Sequence, residues 1–330
     1  MPVLAINAVG DTPHHPDAPL DDVLRRHLSG LPTGAPVLIM IHGYRYSLRH
    51  APLSPHLNIL SLVPGKGRTR SWPRRMGFGR AAAVHTPTAE GLCIAFGWEA
   101  SGTLWRAHAE AARAGTALGR LIVRLRALGA GAVDLMGHSL GARVALAALP
   151  ALPAQSVGRM ILLSGAELAV TATTALASPA GRMAQVLNVT SRENDLFDFG
   201  YEWLIAPFSR GARTIGAGLD LPNAVTLQID APAHRAALAA LGHPMAAPDR
   251  RMCHWSAYTR PGTFPIYRAF LARPTSLPLA VLRSALAQTG TPRWSRLLAR
   301  PVRSRVSSKL QGAPLSSSKA ANQVASQGIA

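Results

Sequence analysis

The sequence predicts an α/β chain: a mostly parallel central sheet with helices on both faces. Three observations predict it. Short apolar runs alternate with longer helical stretches, the order left by successive strand–helix–strand units. The run Val37-Leu38-Ile39-Met40-Ile41 is wholly apolar, as a strand buried on both faces requires. A second run, Ala132-Val133-Asp134-Leu135-Met136, passes through a glycine-flanked turn directly into an Ala-rich helical stretch.

Taken in order, residues 4–9 read as an edge strand, 37–41 as the buried strand and 92–97 as the next one. A long helix follows over 104–128. Its residues Leu118, Leu121, Ile122, Leu125 and Leu128 repeat at the 3–4 spacing of one buried face. Gly129 and Gly131 supply its stop signal. Strand 132–136 and helix 140–149 come next, then strand candidates at 160–163, 184–189 and 224–229. The segment 265–271 closes the fold as a helix.

Two stretches break the alternation and are expected to be loop or lid insertions. Residues 44–90 carry prolines, glycines and the basic cluster Arg68, Arg70, Arg74 and Arg75, with little periodicity. Residues 198–222 follow Phe197 and include Phe199, Tyr201, Trp203 and Phe208, the densest aromatic segment, suited to lining a cleft or to packing beneath a loop.

Composition bounds the rest. At 330 residues and 48% hydrophobic, the chain can bury one large core, so 1–300 is read as a single domain. The remainder, 301–330, is a basic tail rich in Ser, Ala and Gln and is expected to be disordered. Two cysteines, Cys93 and Cys253, make no disulfide framework and suit a reducing compartment. With no long apolar run and no basic-then-apolar leader, the expected location is the cytoplasm. Net charge is +19, and Asp249 is the last acidic residue, whereas basic residues continue to Lys319. That asymmetry allows contact with an anionic surface, membrane or nucleic acid, through the C-terminal region.

The chemistry concentrates at Gly137-His138-Ser139-Leu140-Gly141. This G-x-S-x-G sits between strand and helix, where a tight turn holds the serine hydroxyl above the carboxyl end of the sheet. Gly137 and Gly141 stand where side chains would collide with neighbouring backbone. Ser139 is therefore the candidate nucleophile. The Leu140 N–H, at a helix N-terminus, is a candidate donor to a developing oxyanion. His42-Gly43 follows the buried strand, and the next residue, Tyr44, offers a second backbone donor. His42 is assigned to shaping that loop.

Through IMIHGY at 39–44 and VDLMGHSLGARVALAAL at 133–149, the chain resembles the α/β-hydrolase superfamily, over residues 36–270. The resemblance implies the order Ser, acid, His along the chain. It also implies acyl-bond hydrolysis without cofactor or metal, on a small-molecule acyl substrate. A serine needs an adjacent imidazole, and the imidazole needs a group to orient it. For the acid, Asp195 follows the strand and polar loop at 186–194; Glu193 and Glu167 are the alternatives. For the base, His254 has the reach of a long loop. His243 is the alternative, and His234 is expected at the surface. An esterase or lipase is the first reading; a thioesterase, peptidase or acyltransferase uses the same constellation. No zinc-spaced Cys/His cluster, H-E-x-x-H or P-loop is present.

Overall fold

A computed structural model describes residues 3–32, 34–64, 70–79, 91–209, 211–287 and 290–298. The chain opens with β1 (Val3–Val9) and turns at Gly10, which has φ +60°, into β2 (Thr12–His14). Then come α1 (Leu20–Ser29), β3 (Val37–Ile41), α2 (Trp72–Met76), β4 (Leu92–Gly97), α3 (Leu104–Ala127), β5 (Val133–His138) and α4 (Leu140–Ala148). The second half runs β6 (Val157–Leu163), α5 (Ala169–Leu176), α6 (Pro179–Met183), β7 (Gln185–Thr190), α7 (Asp195–Ile205) and β8 (Ala224–Gln228). It ends with α8 (Pro232–Ala240), α9 (Ser256–Thr259), α10 (Thr263–Leu271), α11 (Leu279–Ala285) and α12 (Ser295–Leu298).

Among the described residues the strands form one eight-stranded sheet in the order β2-β1-β4-β3-β5-β6-β7-β8. Every pairing is parallel except the β1–β2 hairpin. That hairpin takes the edge, so β1 lies one place inside it, a correction to its reading as an edge strand. Alternate side chains of each strand feed two separate cores. Ile39, Ile41, Leu135 and Leu162 pack with α3 and α4 on one face. Met40, Met136, Leu163 and Val189 pack with α2 and α10 on the other. Helix α3 spans its face because Ala107, Ala111, Ala114 and Leu118 form an apolar stripe that buries completely or nearly so. At about 25 cal/mol per Å² of apolar surface, such stripes supply most of the driving force.

The insertion expected at 44–90 is more ordered than a loop reading suggests. Ile59, Leu60, Trp72, Met76 and Phe78 insert one by one into the second core. Single anchors spaced irregularly bury well but leave no period to read. Residues 80–90 lie outside the described residues, as do Arg68 and the tail 301–330. The other insertion begins as helix, since α7 extends through the aromatic segment to Ile205. Among the described residues no helix is long and apolar enough to cross a membrane.

Candidate active site

The chain enters the site by leaving β5. Ser139 takes φ 55° and ψ −125°, a conformation that side-chain-bearing residues avoid at a cost of about 1–3 kcal/mol. Three backbone bonds at 3.0 Å hold it: Ser139 N–H donates to Leu163 O, and Ser139 O accepts from Ala142 and Ala166. The flanking glycines are needed for space. A Cβ on Gly137 would stand 2.5 Å from Gly141 O, and one on Gly141 would stand 2.4 Å from Ile41 O. Ser139 is 5% exposed and lines a cavity of about 500 Å³.

The loop after β3 reaches the same cavity. A Cβ on Gly43 would lie 2.8 Å from both Ser139 Cβ and His138 O, so only glycine permits this approach. His42 is buried and fixes the loop from behind. Its Nε2 accepts from Trp98 N–H at 3.0 Å, so Nδ1 carries the proton and donates to Gly43 O at 2.9 Å. The Trp98 indole stacks on His42 and donates to its carbonyl oxygen. Burial drives the His42 pKa down to about 3, so the ring stays neutral and its pattern of donor and acceptor is fixed. Tyr44 and Leu140 both line the cavity. As the first residue of α4, Leu140 has an N–H with no acceptor inside the helix.

His254 also lines this cavity, and three contacts hold its loop. Cys253 N–H donates to Glu193 O at 2.8 Å. His138 Nε2 donates to the His254 carbonyl at 3.1 Å. The His254 ring donates from Nδ1 to Asn194 Oδ1 at 2.6 Å. Phe197 stacks on the ring at 4.8 Å, and His138 lies 4.6 Å from it on centroids. With Nδ1 donating, Nε2 presents its lone pair. Burial, with a smaller contribution from His138, holds the His254 pKa well below its ordinary value, so the ring is neutral. Burial likewise lowers His138 to about 4.

The structure therefore brings Ser139, His254 and Asn194 into one cavity, and Asn194 occupies the position expected of Asp195. The Asp195 carboxylate turns away. It accepts from Trp294 N–H at 2.6 Å and pairs with Arg192 at 3.1 Å. The alternatives are also committed elsewhere: Glu193 pairs with buried Arg260, and Glu167 with Arg143. His243 does not line the cavity. His234 is buried, not at the surface, and its Nδ1 accepts from Gln228 N–H at 3.0 Å. Sequence reading missed Asn194 because it lies one residue before Asp195 in the same polar loop, and the 3₁₀ turn Arg192–Asn194 decides which side chain faces His254.

The remaining cavity wall is largely apolar, with Leu104, Leu204, Phe197 and Tyr201. A larger hollow of about 810 Å³ lies along β8, but its arginines are engaged: Arg192 with Asp195, Arg213 and Arg293 with Glu202, and Arg283 with backbone carbonyls. Among the described residues no three His, Cys, Asp or Glu are grouped to hold a metal ion.

No family model matches the chain, and no curated protein matches it in sequence. Among solved structures it is similar to Aspergillus fumigatus lipase B, with a TM-score of 0.40 and 12% identity over 86% of this chain. The chain spans 65% of that lipase's length. The parallel sheet, its two helical layers and the serine turn leaving β5 together make this an α/β-hydrolase fold.

Proposed function

We propose that the protein is a serine hydrolase that cleaves an ester-type acyl bond through Ser139 and an acyl-enzyme intermediate. The observation that carries this reading is the meeting, in one cavity, of a serine strained on its turn with a neutral histidine whose Nε2 is free to accept a proton. Ser139 Oγ attacks the carbonyl carbon while His254 Nε2 takes its proton. The negative oxygen of the tetrahedral intermediate accepts from the Leu140 and Tyr44 N–H groups. Collapse expels the alcohol, which leaves with the proton from His254. Water then attacks the acyl-enzyme, gives its proton to His254, and the acid departs as Ser139 regains its hydrogen.

Asn194, not a carboxylate, orients the base here by accepting from Nδ1. An amide fixes the tautomer as a carboxylate does but supplies no charge to the imidazolium. Apolar walls of Leu104, Leu204 and Phe197 suit an aliphatic or aromatic acyl group, and the volume suits a small one. A panel of p-nitrophenyl esters of increasing chain length tests the reading. Hydrolysis is expected to favour short to medium chains and to fall at least about 10³-fold in Ser139→Ala, the scale on which losing a nucleophile acts. Equal rates for wild type and Ser139→Ala would overturn it.

A further inference from the structure

Asn194 presents a problem that its neighbour solves. A primary amide is nearly symmetric in shape, and either end fits against an imidazole nitrogen. With Oδ1 toward His254, Nδ1 is protonated and Nε2 is a base. With the NH₂ end toward it, the tautomer reverses and Nε2 carries the proton, useless to Ser139. Something must choose the orientation.

Asp198 stands one turn along α7 from Asn194. Its carboxyl is buried and lines the same cavity, and the Asn194 side chain is among the neighbours that pull its pKa down. A carboxylate only accepts, so it draws the Asn194 NH₂ toward itself and leaves Oδ1 for His254. The site for this carboxyl is built. Gly216 lies flat against it, and a Cβ there would come 2.7 Å from Asp198 Cγ. We propose that Asp198 is a positioning residue that acts on His254 through Asn194, setting the amide orientation and supplying at second hand the negative charge that Asn194 lacks.

The surroundings leave Asp198 as the group free for this task. Facing it from the preceding turn are Arg192 and Asn194, from the 213–216 loop Thr214, and from the C-terminal segment Arg293. On its own helix, Asp195 is paired with Arg192, and Glu202 with Arg213 and Arg293. Burial raises the Asp198 pKa to about 7, against the opposing pull of Thr214, Asn194 and the two guanidiniums. Below that pH the carboxyl carries a proton that it can donate to Oδ1, which favours the wrong orientation. Above it, only the productive orientation is satisfied.

This rests on the acyl-transfer reading, and its test separates the two. On p-nitrophenyl acetate, Asp198→Asn is expected to lower kcat/KM by roughly 10- to 100-fold, the range for a hydrogen bond to a charged group. It should also abolish an inflection near pH 7. Asn194→Asp removes the amide that can turn the wrong way and puts a second carboxylate beside Asp198, so its pH profile should differ from wild type, and its kcat/KM is the reference for the double variant. In its background, Asp198→Asn should cost less than about threefold. The Nδ1–H proton of His254, followed by NMR without substrate, should be present in wild type at pH 8 and lost in Asp198→Asn. An unchanged pH profile in both single variants, or an unchanged Nδ1–H signal in Asp198→Asn, would overturn the proposal. The NMR result stands whether or not the protein hydrolyses esters.

Discussion

At the scale of single residues, the site depends as much on missing side chains as on reactive ones. Gly43, Gly137 and Gly141 each stand where a methyl group would meet backbone or Ser139 at 2.4–2.8 Å. Gly43→Ala is the most informative of these, because its methyl group would press on Ser139 Cβ and His138 O at 2.8 Å and push the His42 loop away from Ser139. It should cost roughly 1–3 kcal/mol of stability from overpacking. If Tyr44 loses its place as an oxyanion donor, kcat should fall about 10²–10³-fold. Urea denaturation and ester kinetics on the same sample measure the two effects. An alanine variant with wild-type kcat would remove the Tyr44 N–H from the mechanism. Gly137 and Gly141 were legible in the sequence because a five-residue motif fixes its own geometry, and Gly43 was legible through the His-Gly pair that follows the buried strand. Asn194 was not. Three consecutive polar residues, Glu193, Asn194 and Asp195, point in three directions from one turn, and only the surrounding structure determines which of them meets His254.

At the scale of elements, α7 explains why the aromatic segment resisted reading. Its buried positions are Asp195, Asp198, Tyr201 and Glu202, while Leu196, Phe197, Phe199 and Trp203 are exposed. The pattern has helical spacing but the opposite polarity, since the helix turns its acids inward to meet Arg192, Arg293 and Asn194. A search for an apolar stripe facing the core finds none in the expected place. On the proposed mechanism, the same inversion separates a structural acid, Asp195, from a positioning one, Asp198. Asp195 joins α7 to the 290–298 segment through Trp294 N–H and to the preceding turn through Arg192. Asp195→Asn should therefore destabilise the fold, by up to about 3–5 kcal/mol if Arg192 is left unpaired. The pH profile of kcat should stay unchanged. A profile altered in Asp195→Asn as in Asp198→Asn would return Asp195 to the catalytic line. The base loop follows the same logic: Glu193 with Arg260, and Cys253 N–H on Glu193 O, hold it beside the acid turn before any chemistry occurs.

At the scale of the whole molecule, the sheet assembles the site from distant segments of chain. Ser139 leaves β5, Tyr44 follows β3 and Asn194 follows β7, all at the carboxyl ends of parallel strands, where ligands of open α/β sheets bind. Strand runs and the long α3 were legible because burial on both faces leaves an unmistakable apolar record. The order of strands and the path of 44–79 were not, because pairing is decided by packing between segments far apart in sequence. The central claim is that this architecture exists to make Ser139 nucleophilic. Its most direct test is the reaction of the intact protein with a fluorophosphonate, followed by peptide mass spectrometry to locate the adduct. The account predicts one phosphonylated residue, Ser139, with labelling absent in Ser139→Ala and slowed in His254→Ala. An adduct elsewhere, or undiminished labelling of Ser139→Ala, would contradict it.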